Sequence, residues 1–104
     1  MPSTPRPLTS LTDPVVTVVR TPACHLCEDA LDTLTRLRER TGLRVRILEA
    51  WSEEGARLVA EHRAAMSPLV LLDGNFVSSG RLRTGHLLDL LRDRGVDVPL
   101  TAVR

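Results

Sequence analysis

With 104 residues, 42% of them hydrophobic, and a formal charge of +1 from 14 basic and 13 acidic side chains, the chain has room for one domain with one modest core. The hydrophobic share is aliphatic, with one Phe, one Trp and no Tyr, and the basic residues are all Arg, interspersed with acids. That argues against the aromatic platforms and basic footprints of nucleic-acid binders, and no apolar run approaches a membrane span, so neither partner is expected.

The first 14 residues, MPSTPRPLTSLTDP, carry three prolines in their first seven positions and lack the apolar region of a secretory signal. Residues 1–14 are expected to be a flexible N-terminal segment, with the domain over 15–104. A cytoplasmic, reducing location is expected, where two cysteines are reactive or ligating sooner than a permanent staple. The run VVTVVR, Val15 to Arg20, is apolar on both faces and suits a central strand; Thr21, Pro22 and Ala23 break it. From Cys24 to Thr41 the spacing of Cys27, Ala30, Leu31, Leu34 and Leu37 predicts a helix. Acidic Glu28 and Asp29 sit at its start, Arg38 and Arg40 at its end, and Gly42 stops it.

Leu43, Val45 and Ile47 alternate with Arg44 and Arg46, predicting a second strand with one wetter face. Trp51 is expected to seal the junction into a weaker helix from Ser52 to Ala65, capped by Ser52 and presenting Leu58, Val59 and His62 on one side. Pro68 to Leu72 reads as a third strand, Asp73-Gly74-Asn75 as a tight turn, and Phe76 to Ser78 as a short fourth strand. A last helix from about Arg83 to Arg94 turns Leu87, Leu88, Leu90 and Leu91 inward, and Gly95 ends it. A right-handed crossover makes strands one and two parallel, and the tight turn makes three and four antiparallel. The expected architecture is α/β: a mixed four-stranded sheet with helices on both faces and the cysteines at the C-terminal end of strand one, where open sheets bind ligands.

Cys24-His25-Leu26-Cys27 opens a helix directly after a buried strand, a redox placement. Unpaired N–H groups at a helix start favour a thiolate, lowering a thiol from its reference of about 8.5. Arg20 and a protonated His25 are expected to add to the effect, and Glu28 and Asp29 to oppose it. Cys27, one turn deeper, is placed to attack a mixed disulfide formed at Cys24. Two other readings stand beside this one: an inert buried pair, and half of a zinc site completed from His25, His62 and His86, whose spacing matches no usual zinc pattern. The segment Met66-Ser67-Pro68 reads as a strand boundary. A cis bond there would turn the Ser67 backbone toward an extended substrate beside Cys24. His62 and His86 read as ordinary surface or boundary residues, and Asp73 and Gly74 as turn residues.

Taken together, VVTVVR, CHLCEDA, MSPLVLLDG, FVSSGRL and a leucine-rich final helix, from Val15 to about Arg94, resemble the glutaredoxin-like branch of the thioredoxin superfamily. The resemblance implies a thioredoxin-like fold, with Cys24 as nucleophile and Cys27 as resolving thiol. It implies a cis Pro68, with Ser67 offering backbone hydrogen bonds to a glutathione-like thiol or a peptide. Ser79-Gly80 stands nearest to the family's paired glycine, where the last helix begins and binds the carboxylate of glutathione. Arg81 follows in place of the acidic residue often found nearby, and His25-Leu26 replaces the family's Pro-Tyr. The thiol-binding set is then His25, Ser67, Pro68, Ser79, Gly80 and Arg81, with Arg83 a further candidate to pair with a carboxylate.

The function implied is a thiol-disulfide oxidoreductase that reduces protein or small-molecule disulfides. It needs no metal or organic cofactor, uses glutathione or another low-molecular-weight thiol as co-substrate, and works as a monomer. Its partners are disulfide-containing proteins or low-molecular-weight thiols. The alternative is a non-catalytic thioredoxin-fold module that binds a thiol or a protein.

Overall fold

The computed structural model describes residues 14–98, so the expected flexible segment, apart from Pro14, and residues 99–104 lie outside the described residues. Strand β1 (Val15–Arg20) lies inside the sheet, as its two apolar faces require. It pairs in parallel with β2 (Arg44–Glu49) and antiparallel with β3 (Leu69–Leu72). Strand β4 (Asn75–Ser79) runs antiparallel to β3 at the far edge, giving the order β2-β1-β3-β4. Pro14 is buried, and its carbonyl accepts from the Arg44 N–H at 3.1 Å, so the sheet pairing already begins there.

Successive side chains on a strand point to opposite faces, and each face here is covered by helix. Helices α1 (His25–Thr41) and α3 (Thr84–Asp93) bring Leu34, Leu37, Leu87, Leu88 and Leu91 onto Val16, Val18, Val70, Leu72 and Val77, the main core. Helix α2 (Glu53–Glu61) sets Leu58 and Val59 over Val19, Leu69 and Leu71 on the other side. The fold is thioredoxin-like α/β, a mixed four-stranded sheet with helices on both faces.

Several local expectations change. Ile47 is 53% exposed, because β2 is an edge strand, and Leu48 on the opposite face packs toward α2. Helix α2 stops at Glu61 instead of Ala65: Arg63 turns left-handed (φ 51) and the Ala64 N–H reaches the Val59 carbonyl at 3.0 Å, folding Ala64 onto the smaller cluster. The hairpin turn has two residues, Asp73 and Gly74, both with positive φ, so Asn75 already belongs to β4. Register shifts between Val70 and Leu71 leave Val77 without a direct partner, which puts Val77 and Ser78 both inside. Trp51, expected to seal the β2–α2 junction, is 75% exposed. Backbone closes that junction instead, since a Cβ on buried Gly55 would collide with the Glu49 carbonyl oxygen.

Candidate functional site

Between β1 and α1 the chain turns sharply, with Ala23 in the left-handed region (φ 51) and Cys24 extended as the N-cap of α1. An N-cap side chain faces the unpaired N–H groups of the first turn, and the Cys27 N–H accordingly donates to Cys24 Sγ at 3.1 Å. Cys24 and Cys27 form a disulfide, their Cα atoms 5.2 Å apart. Cys27 is fully buried while Cys24 is half-buried, so one sulfur is presented at the surface and the other is sealed beneath it.

The segment before β3 completes the site. The Ser67–Pro68 bond is cis, and the Ser67 carbonyl oxygen lies 3.9 Å from Cys24 Sγ. Ser79 and Gly80 hold this segment from β4. The Ser79 hydroxyl accepts from the Met66 N–H at 3.1 Å and donates to the Met66 carbonyl at 2.8 Å. The Gly80 N–H donates to the Pro68 carbonyl at 3.0 Å. Gly80 is buried with φ +101, and a Cβ there would lie in ordinary contact with the Met66 side chain. The groups singled out as thiol-binding at Ser79 and Gly80 are thus engaged with the protein itself.

Arg81 is exposed and borders a cavity of about 260 Å³ between the start of α1 and the approach to α3, shared with Leu26, Asp29, Ala30, Thr33, Leu82 and Thr84. His25 is exposed on the outer side of α1, and Arg83 is the N-cap of α3, outside that lining. Among the expected residues, then, Cys24, Cys27, Ser67 and Pro68 converge directly, Ser79 and Gly80 stand behind them, and Arg81 adjoins through Leu26.

Arg20 does not lend its charge to Cys24 freely. Its Nη1 pairs with Glu49 Oε2 at 2.9 Å, with both side chains about one-third exposed, which ties β1 to β2. The helix start is the favourable electrostatic element for a thiolate, and Glu28 in the first turn opposes it. Among the described residues no three His, Cys, Asp or Glu side chains gather in a way that could hold a metal ion, so the zinc reading through His25, His62 and His86 finds no ligand set there. No helix among the described residues is long and apolar enough to cross a membrane.

Sequence reasoning passed over Met66, 59% exposed beside Ser67, and misplaced Trp51. The signal for Met66 was its position next to the Ser-Pro step. For Trp51 it was a lone indole in a loop at the cysteine end of the sheet.

No family profile matches this sequence, and no curated protein does. A solved structure of a malarial protein is similar over 78% of this chain and 96% of its own length, at a TM-score of 0.55 and 14% sequence identity. At that identity the likeness shows the fold alone.

Proposed function

We propose that this protein is a glutaredoxin-like thiol-disulfide oxidoreductase that reduces protein or small-molecule disulfides through Cys24 and Cys27. The observation that carries the proposal is the unequal burial of the two sulfurs, the outer one capping a helix 3.9 Å from the Ser67 carbonyl oxygen. In the dithiol form the Cys24 thiolate attacks one sulfur of a substrate disulfide. A Cys24–substrate bond forms, and the other substrate sulfur leaves as a thiolate that takes a proton from solvent. Cys27, deprotonated, then attacks Cys24 Sγ and expels the second substrate thiol. Two electrons have moved to the substrate, and the protein is left as the Cys24–Cys27 disulfide. Two equivalents of glutathione or another low-molecular-weight thiol, or a reductase, return it to the dithiol. The electrons are carried by sulfur, so this chemistry calls on no metal or organic group. It suits a monomer in a reducing cytoplasm.

The test is alkylation of the reduced protein across pH, together with turnover on a small disulfide and on a protein disulfide. Cys24 is expected to react with a midpoint below that of an ordinary thiol, because the N–H groups at the start of α1 face its sulfur. Cys27→Ser is expected to stall as a mixed disulfide at Cys24, and Cys24→Ser to abolish turnover. An ordinary Cys24 midpoint with no turnover on either substrate would leave a non-catalytic thiol- or protein-binding module as the reading.

A further inference from the structure

Helix α2 crosses one face of the sheet from side to side. Glu54 near its start pairs with Arg46 of β2 at 2.9 Å, and His62 at its end stacks on Phe76 of β4, with ring centroids 6.4 Å apart. Among the described residues no helix covers the part of this face nearer the start of β1, and a groove of about 630 Å³ opens there. Buried Thr17 and Leu71 form its floor, Leu58 of α2 one wall, and Val15 with the Asp73-Gly74 turn its far end. Its charges are already matched, Arg46 by Glu54 and Asp73 by Arg94. The opposite face is closed by the main core, in which Leu43 is 1% and Val98 7% exposed.

The chain enters the domain at the end of this groove. Pro14 is buried, its carbonyl held by the Arg44 N–H at 3.1 Å, and Val15 belongs to the lining. Ahead of Val15 an apolar residue falls on every third position, Pro2, Pro5, Leu8, Leu11 and Pro14, and apart from Pro7 the positions between are Ser, Thr, Arg or Asp. A polyproline II helix has three residues per turn, so this spacing sets one apolar edge along it, and prolines favour that conformation. We propose that the N-terminal segment is a polyproline II strap that docks in the groove of its own chain, laying Leu11 and Leu8 against Leu58 and Leu71. At about 3.1 Å per residue Leu11 stands about 12 Å from Val15, far enough to pass Thr17, which is about 7 Å along β1. Residues 7–12 carry no charge, which suits a groove whose ions are already paired. The C-terminal residues are placed differently: Val98 is packed in the main core, so residues 99–104 leave from the opposite face.

The full-length oxidised protein is studied by NMR with its leucine methyl groups isotope-labelled. Nuclear Overhauser contacts are expected from the methyls of Leu11 and Leu8 to those of Leu58 and Leu71. Leu11→Asp is expected to weaken the contacts of Leu8, shift the Leu58 and Leu71 methyl resonances and lower the urea midpoint. Ser10→Asp, which lies off the apolar edge, is expected to leave the contacts in place. Their absence in the unsubstituted protein would overturn the proposal, as would their loss in Ser10→Asp. Contacts to Leu58 and Leu71 from Leu100 would assign the groove to the C-terminal residues instead. In a sample mixing labelled with unlabelled protein, contacts that pass between copies would assign it to a second chain, and either result overturns the strap. The start of β1 lies about 17 Å along the strand from the end that leads to Cys24, and the measurement needs no turnover, so this proposal and the oxidoreductase reading stand or fall separately.

Discussion

Ser79 and Gly80 hold the segment beside Cys24 through hydrogen bonds to Met66 and Pro68. The Ser79 hydroxyl makes two hydrogen bonds to the Met66 backbone, each contributing about 0.5–1.5 kcal/mol net. Because these bonds are solvent-accessible, the low end of that range applies, and Ser79→Ala is expected to lower stability by about 1 kcal/mol while speeding hydrogen exchange at the Met66 amide. Gly80 is less replaceable. With φ +101, Gly80→Ala places a side chain in a backbone region that costs about 1–3 kcal/mol. Urea denaturation of the two variants checks both the size and the order. A loss at Gly80 no larger than at Ser79 would show that the backbone there relaxes freely. Arg20 makes a related point. In sequence it stands four residues before Cys24 as a candidate charge, and in space it belongs to Glu49.

Each element ends where a particular group satisfies the chain. Helix α1 begins because Cys24 supplies an acceptor to the Cys27 N–H, and it ends because Gly42 turns left-handed with its N–H on the Arg38 carbonyl. Helix α2 begins at Ser52, whose hydroxyl accepts from the Gly55 N–H at 3.0 Å and donates to the Glu49 carbonyl at 2.7 Å. That one hydroxyl caps the helix and ties it to the end of β2. Ser52→Ala is therefore expected to cost about 1–2 kcal/mol, the upper part of the range for an N-cap, measured by chemical denaturation; a change below about 0.5 kcal/mol would mean water replaces the cap. The β3–β4 turn is similarly tied in. Asp73 accepts from the Val15 N–H at 2.9 Å and from Arg94 Nε at 3.0 Å, joining the hairpin, the start of β1 and the end of α3.

At the scale of the molecule the two faces of the sheet are unequal. The α1–α3 side holds most of the fully buried side chains, Leu34 among them, while α2 covers three buried residues with partly exposed ones. Leu34→Ala is expected to cost about 2–5 kcal/mol, lowering Tm by at least about 8 °C for a domain of this size. Val59→Ala, at the half-exposed α2 contact, is expected to cost clearly less. Thermal unfolding of the two variants compares them, and equal losses would contradict the unequal cores. The same inequality places the candidate site: α1, with Cys24 as its N-cap and Cys27 in its first turn, is anchored by the larger core, and Cys27 is buried with it.

Element types, their order, the placement of Cys24 at a helix start, the Ser52 cap and the stops at Gly42 and Gly95 were legible along the chain. Each depends on periodicity or on a residue's own backbone preference, and such causes act over a few positions. The pairing of β1 with β3 was not legible, nor were the partnership of Arg20 with Glu49 across 29 residues or the grip of Ser79 on Met66. The exposure of Ile47 and Trp51 was hidden for the same reason. Apolar side chains read alike whether their strand lies inside or at the edge, and a charged or hydroxyl group takes whichever partner packing brings within reach. Chain pattern thus accounts for two cysteines on one helix start with Cys27 on its apolar face, and long-range packing for what stands beside Cys24.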